Sequence, residues 1–184
     1  AGYDPVPHRR FLIDYFTGEF NNSAARGRPF GHNAKTGDAR ISGSLASLAG
    51  LEAAIESGDP VGIEDAVKVI ILLHGMIMSF GGIPLLYYGD EIGTTNDYRY
   101  IKDERKSGDT RWMHRPTFDG EKAELRNKPS TVENRIVQAL KKMISIRKEV
   151  AAFSDCNNRD LRVSSKPPLF ACGRVSHQHV AEGG

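Results

Sequence analysis

The sequence predicts an α/β fold, and three stretches carry that expectation. Ile83 to Tyr88 is a short apolar run with Gly81-Gly82 before it and Gly89-Asp90-Glu91 after it. A continuous apolar run without alternation reads as a strand buried on both faces, as in a parallel sheet. Pro84 has no N–H to donate and therefore belongs at such a strand's start. From Ile63 to Phe80 the residues are apolar nearly all round, which predicts a mostly buried helix. Further on, Val132, Ile136, Val137, Leu140, Met143 and Ile144 draw one apolar face along a second helix. Helix, buried strand, polar loop and helix form a segment of an α/β sheet or barrel. Asp90-Glu91 would then stand at the strand's C-terminal end, where such folds carry their sites; the pair also fits a solvated turn.

Taken in order, residues 8–16 place Phe11, Leu12, Tyr15 and Phe16 at helical spacing, with Gly18 as a stop. Asn21 to Arg40 is rich in Gly, Asn and charge and reads as a long loop, either functional or disordered. Ser42 to Ile55 reads as one helix with Leu45, Leu48, Leu51 and Ile55 on a stripe, a Ser as cap and Gly58 as stop. Asp59-Pro60 opens the next helix, Asp as N-cap and Pro at the first helical position. His74 lies inside that helix with no second ligand one turn away, so a hydrogen-bonded core histidine is expected. Thr94 to Asn127 reads as a polar loop holding the single Trp, Trp112. Ser130-Thr131-Val132-Glu133 matches a capping box, with Ser130 as cap and Glu133 reaching back. Leu161-Arg162-Val163 and Leu169 to Cys172 look like short strands before a Gly- and His-containing tail.

Composition excludes several classes. With 184 residues the chain can form one domain with a core. A formal net charge of +2 and the mixed signs of Lys102-Asp103-Glu104-Arg105-Lys106 give no nucleic-acid footprint. Cys156 and Cys172 are too few for a disulfide framework or zinc site, which points to reduced thiols in the cytoplasm. No apolar run reaches the roughly 20 residues of a membrane helix, so no membrane partner is expected. No signal peptide is visible, and the absent initiator Met suggests a chain cut from something longer.

The stretch Gly82 to Gly93 resembles the eighth-strand signature of the α-amylase family of glycoside hydrolases. That stretch, continued through Thr94-Thr95-Asn96-Asp97-Tyr98, and two further segments are together similar to one branch of that family, the amylosucrases and sucrose hydrolases. One is Ala25-Arg26-Gly27-Arg28-Pro29-Phe30 followed by Asn33-Ala34-Lys35-Thr36-Gly37-Asp38-Ala39-Arg40-Ile41-Ser42-Gly43. The other is Asp109-Thr110-Arg111-Trp112-Met113-His114-Arg115-Pro116. The resemblance spans roughly residues 3 to 153 and implies the C-terminal part of a (β/α)8 TIM barrel. On that map residues 1–58 are a helical insertion in the seventh loop and residues 59–150 the end of the barrel. Residues 151–184 are then the truncated start of a C-terminal β domain.

What the resemblance implies about chemistry follows. Family members cleave sucrose through a covalent glucosyl-enzyme and pass glucose to an α-glucan acceptor or to water, with no cofactor and no metal. The nucleophile Asp, the acid Glu and a third Asp would all precede Ala1, in a missing N-terminal part of the barrel, so no catalytic residue is assigned here. Substrate-binding roles map to Arg9, Asn33, Asp38, Arg40 and Arg111. Arg111 corresponds to the arginine that pairs an upstream Asp to close a glucosyl pocket. Guanidinium groups on such loops suit sugar hydroxyls; ordinary surface charge, or for Arg111 a loop-anchoring ion pair, is the plainer reading. Gly31-His32 and Ala24 depart from the amylosucrase pattern at positions that bear on acceptor binding, which leaves both glucan growth and hydrolysis open. The alternatives are a sucrose hydrolase or other α-amylase-family glycosidase, and a non-catalytic remnant or interaction module. A transporter-associated sugar-binding homologue is disfavoured by the intact Arg-Trp-x-His-Arg-Pro pattern.

Overall fold

The structure, a computed structural model, describes residues 4–153, 159–163 and 170–174. Helix α1 (Pro5–Thr17) starts where the Asp4 carboxylate accepts the Val6 N–H at 2.9 Å, and Gly18 ends it in the left-handed conformation. Strands β1 (Arg28–Asn33) and β2 (Asp38–Ser42) form an antiparallel hairpin pairing Arg28 with Ser42, Phe30 with Arg40 and Asn33 with Asp38. Two short helices follow, α2 (Leu45–Leu48) and α3 (Leu51–Ser57). The long helix α4 (Pro60–Ser79) is capped by Asp59. After it come 3-10 turns at Asp90–Ile92, Tyr98–Lys102 and Thr110–His114, then α5 (Gly120–Glu124) and α6 (Val132–Glu149). Strands β3 (Arg159–Val163) and β4 (Phe170–Arg174) form a second antiparallel pair.

The core lies where α2, α3 and α6 meet α4. Ala46, Leu51, Ala66, Val67, Ile70, Ile136 and Leu140 are buried together there, each large side chain contributing about 1.5–3 kcal/mol. His74 is buried among them with its Nδ1–H donated to the Ile70 carbonyl at 2.8 Å, as a hydrogen-bonded core histidine should be. Among the described residues no helix is long and apolar enough to cross a membrane.

The TIM-barrel expectation is overturned. Among the described residues the strands form only two separate two-stranded antiparallel sheets, neither of them parallel. Ile83 to Tyr88 runs extended but is no strand, with Ile83 93% and Leu85 81% exposed. The physical reason is the lack of a neighbour. The N–H groups of Ile83, Leu85, Leu86, Tyr87 and Tyr88 find no acceptor among the described residues, and a strand exists only through its ladder. Helix α4 is likewise buried on one side only: Ala66, Val67, Ile70, His74 and Met78 face inward while Leu72, Met76 and Ile77 are exposed.

Smaller corrections have local causes. The loop expected at 21–40 contains the hairpin, made possible by a turn in which the Asn33 carbonyl accepts the Gly37 N–H at 2.8 Å. The single helix expected at 42–55 is broken at Gly50, whose φ of 91° is left-handed; Ser44 caps the first half. Thr131, not Ser130, caps α6, because Ser130 itself sits at a φ of 70° and the Thr131 hydroxyl accepts the Asn134 N–H at 3.1 Å. Thr94 to Asn127 carries three 3-10 turns and α5 where a plain loop was expected. Cys156 and the tail beyond Arg174 lie outside the described residues.

Candidate functional site

The β1–β2 hairpin carries three of the five substrate-binding candidates, Asn33, Asp38 and Arg40. Side chains alternate along a strand, so Asp38, Arg40 and Ser42 share one face while Ala39 and Ile41 take the other. Ile41 packs inward, its Cγ2 lying close to the Gly27 backbone. Helix α1 lies across the hairpin, and Arg9 Nη1 reaches Asp38 Oδ2 at 3.4 Å. Asn33 faces Asp38 across the hairpin's end and uses its side-chain oxygen to accept the Lys35 N–H at 3.0 Å, shaping the turn. Between α1 and the hairpin opens a cleft of about 680 Å³ lined by Arg9, Arg10, Asp14, His32 and Asp38.

Arg111 reaches the same hairpin from the 3-10 turn at Thr110–His114. Its guanidinium stands 4.5 Å from the centroid of the Phe30 ring, and Phe30 is the cross-strand partner of Arg40. Thr110 Oγ1 fixes the approach, lying 3.3 Å from both the Pro29 carbonyl and Ser42 Oγ. The carboxylate that Arg111 holds is Asp109, two residues earlier, gripped by Nε and Nη2 at 2.9 and 2.8 Å. These hydrogen bonds from the Arg111 side chain, with the one from its N–H, hold the Asp109 carboxyl down at about 2. A carboxylate kept so acidic is no general acid near neutrality. Arg9, Asn33, Asp38, Arg40 and Arg111 thus gather around one hairpin, and what they offer is hydrogen-bond donors and acceptors.

A buried polar network was invisible to sequence reasoning. Glu52, 6% exposed, accepts hydrogen bonds from Ser47 Oγ at one oxygen and from the Tyr98 hydroxyl, at 2.7 Å, at the other. Asn96 donates its N–H to Ser47 Oγ at 2.9 Å, accepts the Ser44 N–H at 2.8 Å and donates Nδ2 to the Arg26 carbonyl. Burial, then the bond to Glu52, pushes the Tyr98 hydroxyl up to about 12. Asn96 and Tyr98 sit 44 to 70 positions from these partners, beyond any local spacing rule. This network ties the polar stretch after Gly93 to α2 and α3.

Two groups near the 83–88 segment are also perturbed. Burial pushes Asp90 up to about 6, with Glu91 adding to the rise and His74 opposing it. His114 has a buried Nδ1 with no hydrogen-bond partner among the described residues, and burial followed by Arg115 lowers its basicity. Among the described residues no three His, Cys, Asp or Glu side chains converge as a metal site. No family model matches the chain.

Proposed function

We propose that this chain serves in an amylosucrase-like enzyme acting on sucrose by a retaining double displacement, and that its part is to hold the sugar acceptor. The observation that carries the reading is the convergence of Arg9, Asn33, Asp38, Arg40 and Arg111 on one hairpin. Paired arginines and carboxylates present fixed donors and acceptors suited to sugar hydroxyls. The sequence resemblance in the Arg-Gly-x-Pro-Phe, Thr-Gly-Asp-x-Arg and Arg-Trp-x-His-Arg-Pro segments supports the same reading. On this reading the nucleophile and the acid are contributed by residues outside this chain, and the glucosyl acceptor, a glucan end or water, is selected at the hairpin.

The test is binding. In an amide-shift titration of the chain with maltotriose, the signals of Phe30, Asp38 and Arg40 are expected to move, and Arg40→Ala to abolish the movement. Hairpin signals that stay fixed at saturating maltotriose and sucrose would overturn the acceptor role.

A further inference from the structure

The backbone between Gly82 and Gly89 carries an edge that the fold leaves unused. Exposure alternates along it: Ile83, Leu85 and Tyr87 are exposed, while Pro84 and Leu86 are half-buried and Leu86 packs on the core around α4. That period of two marks an extended segment with one face on the protein. In such a backbone successive N–H groups point to opposite edges. Ile83, Leu85 and Tyr87 therefore present donors along one edge, Leu86 and Tyr88 along the other. None of these donors has an acceptor among the described residues. The two edges are unequal, because Pro84 has no N–H and leaves a gap in the second, whereas the first is complete. On the complete edge the Tyr87 carbonyl accepts the Asp90 N–H at 3.2 Å and keeps a second lone pair open.

A complete, unpaired edge is a template for another strand, and the charges at its ends select which one. Residues 83–88 carry no charge themselves. At their start stands Arg147, whose guanidinium donates to the Gly82 carbonyl at 2.7 Å and to the Met78 carbonyl at 2.6 Å. At their end stand Asp90 and Glu91. A parallel second copy would set these carboxylates against their own like charges; an antiparallel one sets them toward Arg147. The side chains match under the same two-fold axis. Leu85 falls opposite Leu85, and Ile83 opposite Tyr87, an aliphatic–aromatic cross-strand pair. Each free donor of the edge then meets a carbonyl of the same edge in the other copy, so one patch serves both partners. We propose that residues 83–88 are a self-association strand, pairing antiparallel with the same segment of a second copy. The product is a closed dimer and not a filament, since the outer edge of the paired ribbon has the gap at Pro84. Nothing in this pairing depends on sugar binding at the hairpin.

The test follows the whole chain by sedimentation velocity and amide hydrogen exchange from low to high micromolar concentration. A reversible monomer–dimer equilibrium is expected. As dimer forms, exchange at Ile83, Leu85 and Tyr87 should slow by about tenfold or more, while Leu86 stays as it is. In a mixture of isotope-labelled and unlabelled chains, Ile83 of one copy should show contacts with Tyr87 of the other. Leu85→Pro removes the central donor at an exposed side chain, and Leu85→Val keeps it. With melts that match the wild type, the first should weaken dimerisation by about tenfold or more and the second by less than about twofold. If Leu85→Pro does not fold, the exchange and mixing measurements on the unaltered chain decide alone. The proposal is overturned if the chain stays monomeric throughout, or if it grows into open-ended aggregates. It is equally overturned if exchange at these amides ignores concentration, if Ile83 meets Ile83 in place of Tyr87, or if the two folded variants dissociate alike.

Discussion

Arg111 holds Asp109 by a two-point fork, Nε to Oδ1 at 2.9 Å and Nη2 to Oδ2 at 2.8 Å, and lays the same guanidinium 4.5 Å from the Phe30 ring centroid. One side chain thus joins the turn at Thr110–His114 to the hairpin that carries Asp38 and Arg40. Lys keeps a charge but has neither the planar fork nor the stacking face.

The first prediction concerns that fork. Asp109 has a folded value of about 2 against an ordinary 3.8, so the unfolded chain binds the proton more readily. The stabilisation is therefore complete above the unfolded value and is lost as pH falls through the folded one. Arg111→Lys should lower the melting temperature at pH 7, and the gap from wild type should shrink as the pH approaches about 2. Thermal melts across that range check it; a gap that widens in acid would contradict it.

Asp90 runs the other way. Burial raises its folded value to about 6 from 3.8, so the folded state holds the proton more tightly and stability falls as pH rises between those values. Asp90→Asn removes the charge and keeps the shape. Above pH 6 it should stabilise the chain, by about 1 kcal/mol once partial exposure is allowed for, and below pH 4 the gain should vanish. Paired urea titrations at pH 4 and pH 7.5 decide it.

Local signals in the sequence located most of the helices. Asp59-Pro60, Gly18 and Gly58 act through neighbouring backbone groups, and the structure uses each of them. The apolar face of α6 was legible because Ile136, Val137 and Leu140 follow its period and are buried. Ile83 to Tyr88 misled for the opposite reason. Composition marks that stretch as sheet-forming, but a strand depends on partners that no local pattern supplies. The site divides similarly. Arg9, Asp38, Arg40 and Arg111 were named from motifs, while Glu52 and Asn96 were missed because their contacts are set by tertiary packing alone.

The third prediction tests that network. Asn96→Ala leaves the Ser44 N–H and the Arg26 carbonyl without their partner while the surrounding groups stay in place. Leaving such groups unsatisfied costs about 1–3 kcal/mol. A urea titration should show that loss with an unchanged slope, and an unchanged midpoint would mean water replaces the amide at no cost.

The exposed apolar segment predicts behaviour at high concentration. Ile83 and Leu85 leave apolar surface exposed, as Leu72, Met76 and Ile77 do on the outer face of α4. Leu85→Lys, at a side chain already 81% exposed, should reduce dye binding to exposed apolar surface and raise solubility while the melting temperature stays close to wild type. Lost stability instead would show that Leu85 packs against something in solution.

The last prediction asks whether the hairpin's seat matters to binding. Gly27 lies where α1, β2 and α2 meet: a Cβ there would stand 2.5 Å from the Phe16 carbonyl oxygen, 2.7 Å from Ile41 Cγ2 and 2.9 Å from Leu48 Cδ2. The first of these is backbone and is itself the acceptor of the Gly27 N–H at 2.8 Å, so it cannot yield without breaking that bond. Overpacking of this kind typically costs about 1–3 kcal/mol. Relief must come from α1 or the hairpin moving apart, and that motion separates Arg9 from Asp38. Gly27→Ala should therefore lower stability and also weaken maltotriose-induced shifts at Asp38 and Arg40. Gly120→Ala is the matched control, since a Cβ there meets nothing within 4 Å and the position opens α5; it should be neutral or slightly stabilising. If Gly27→Ala destabilises the chain yet leaves the hairpin shifts intact, the close packing at Gly27 serves the fold alone and does not set the distance between Arg9 and Asp38.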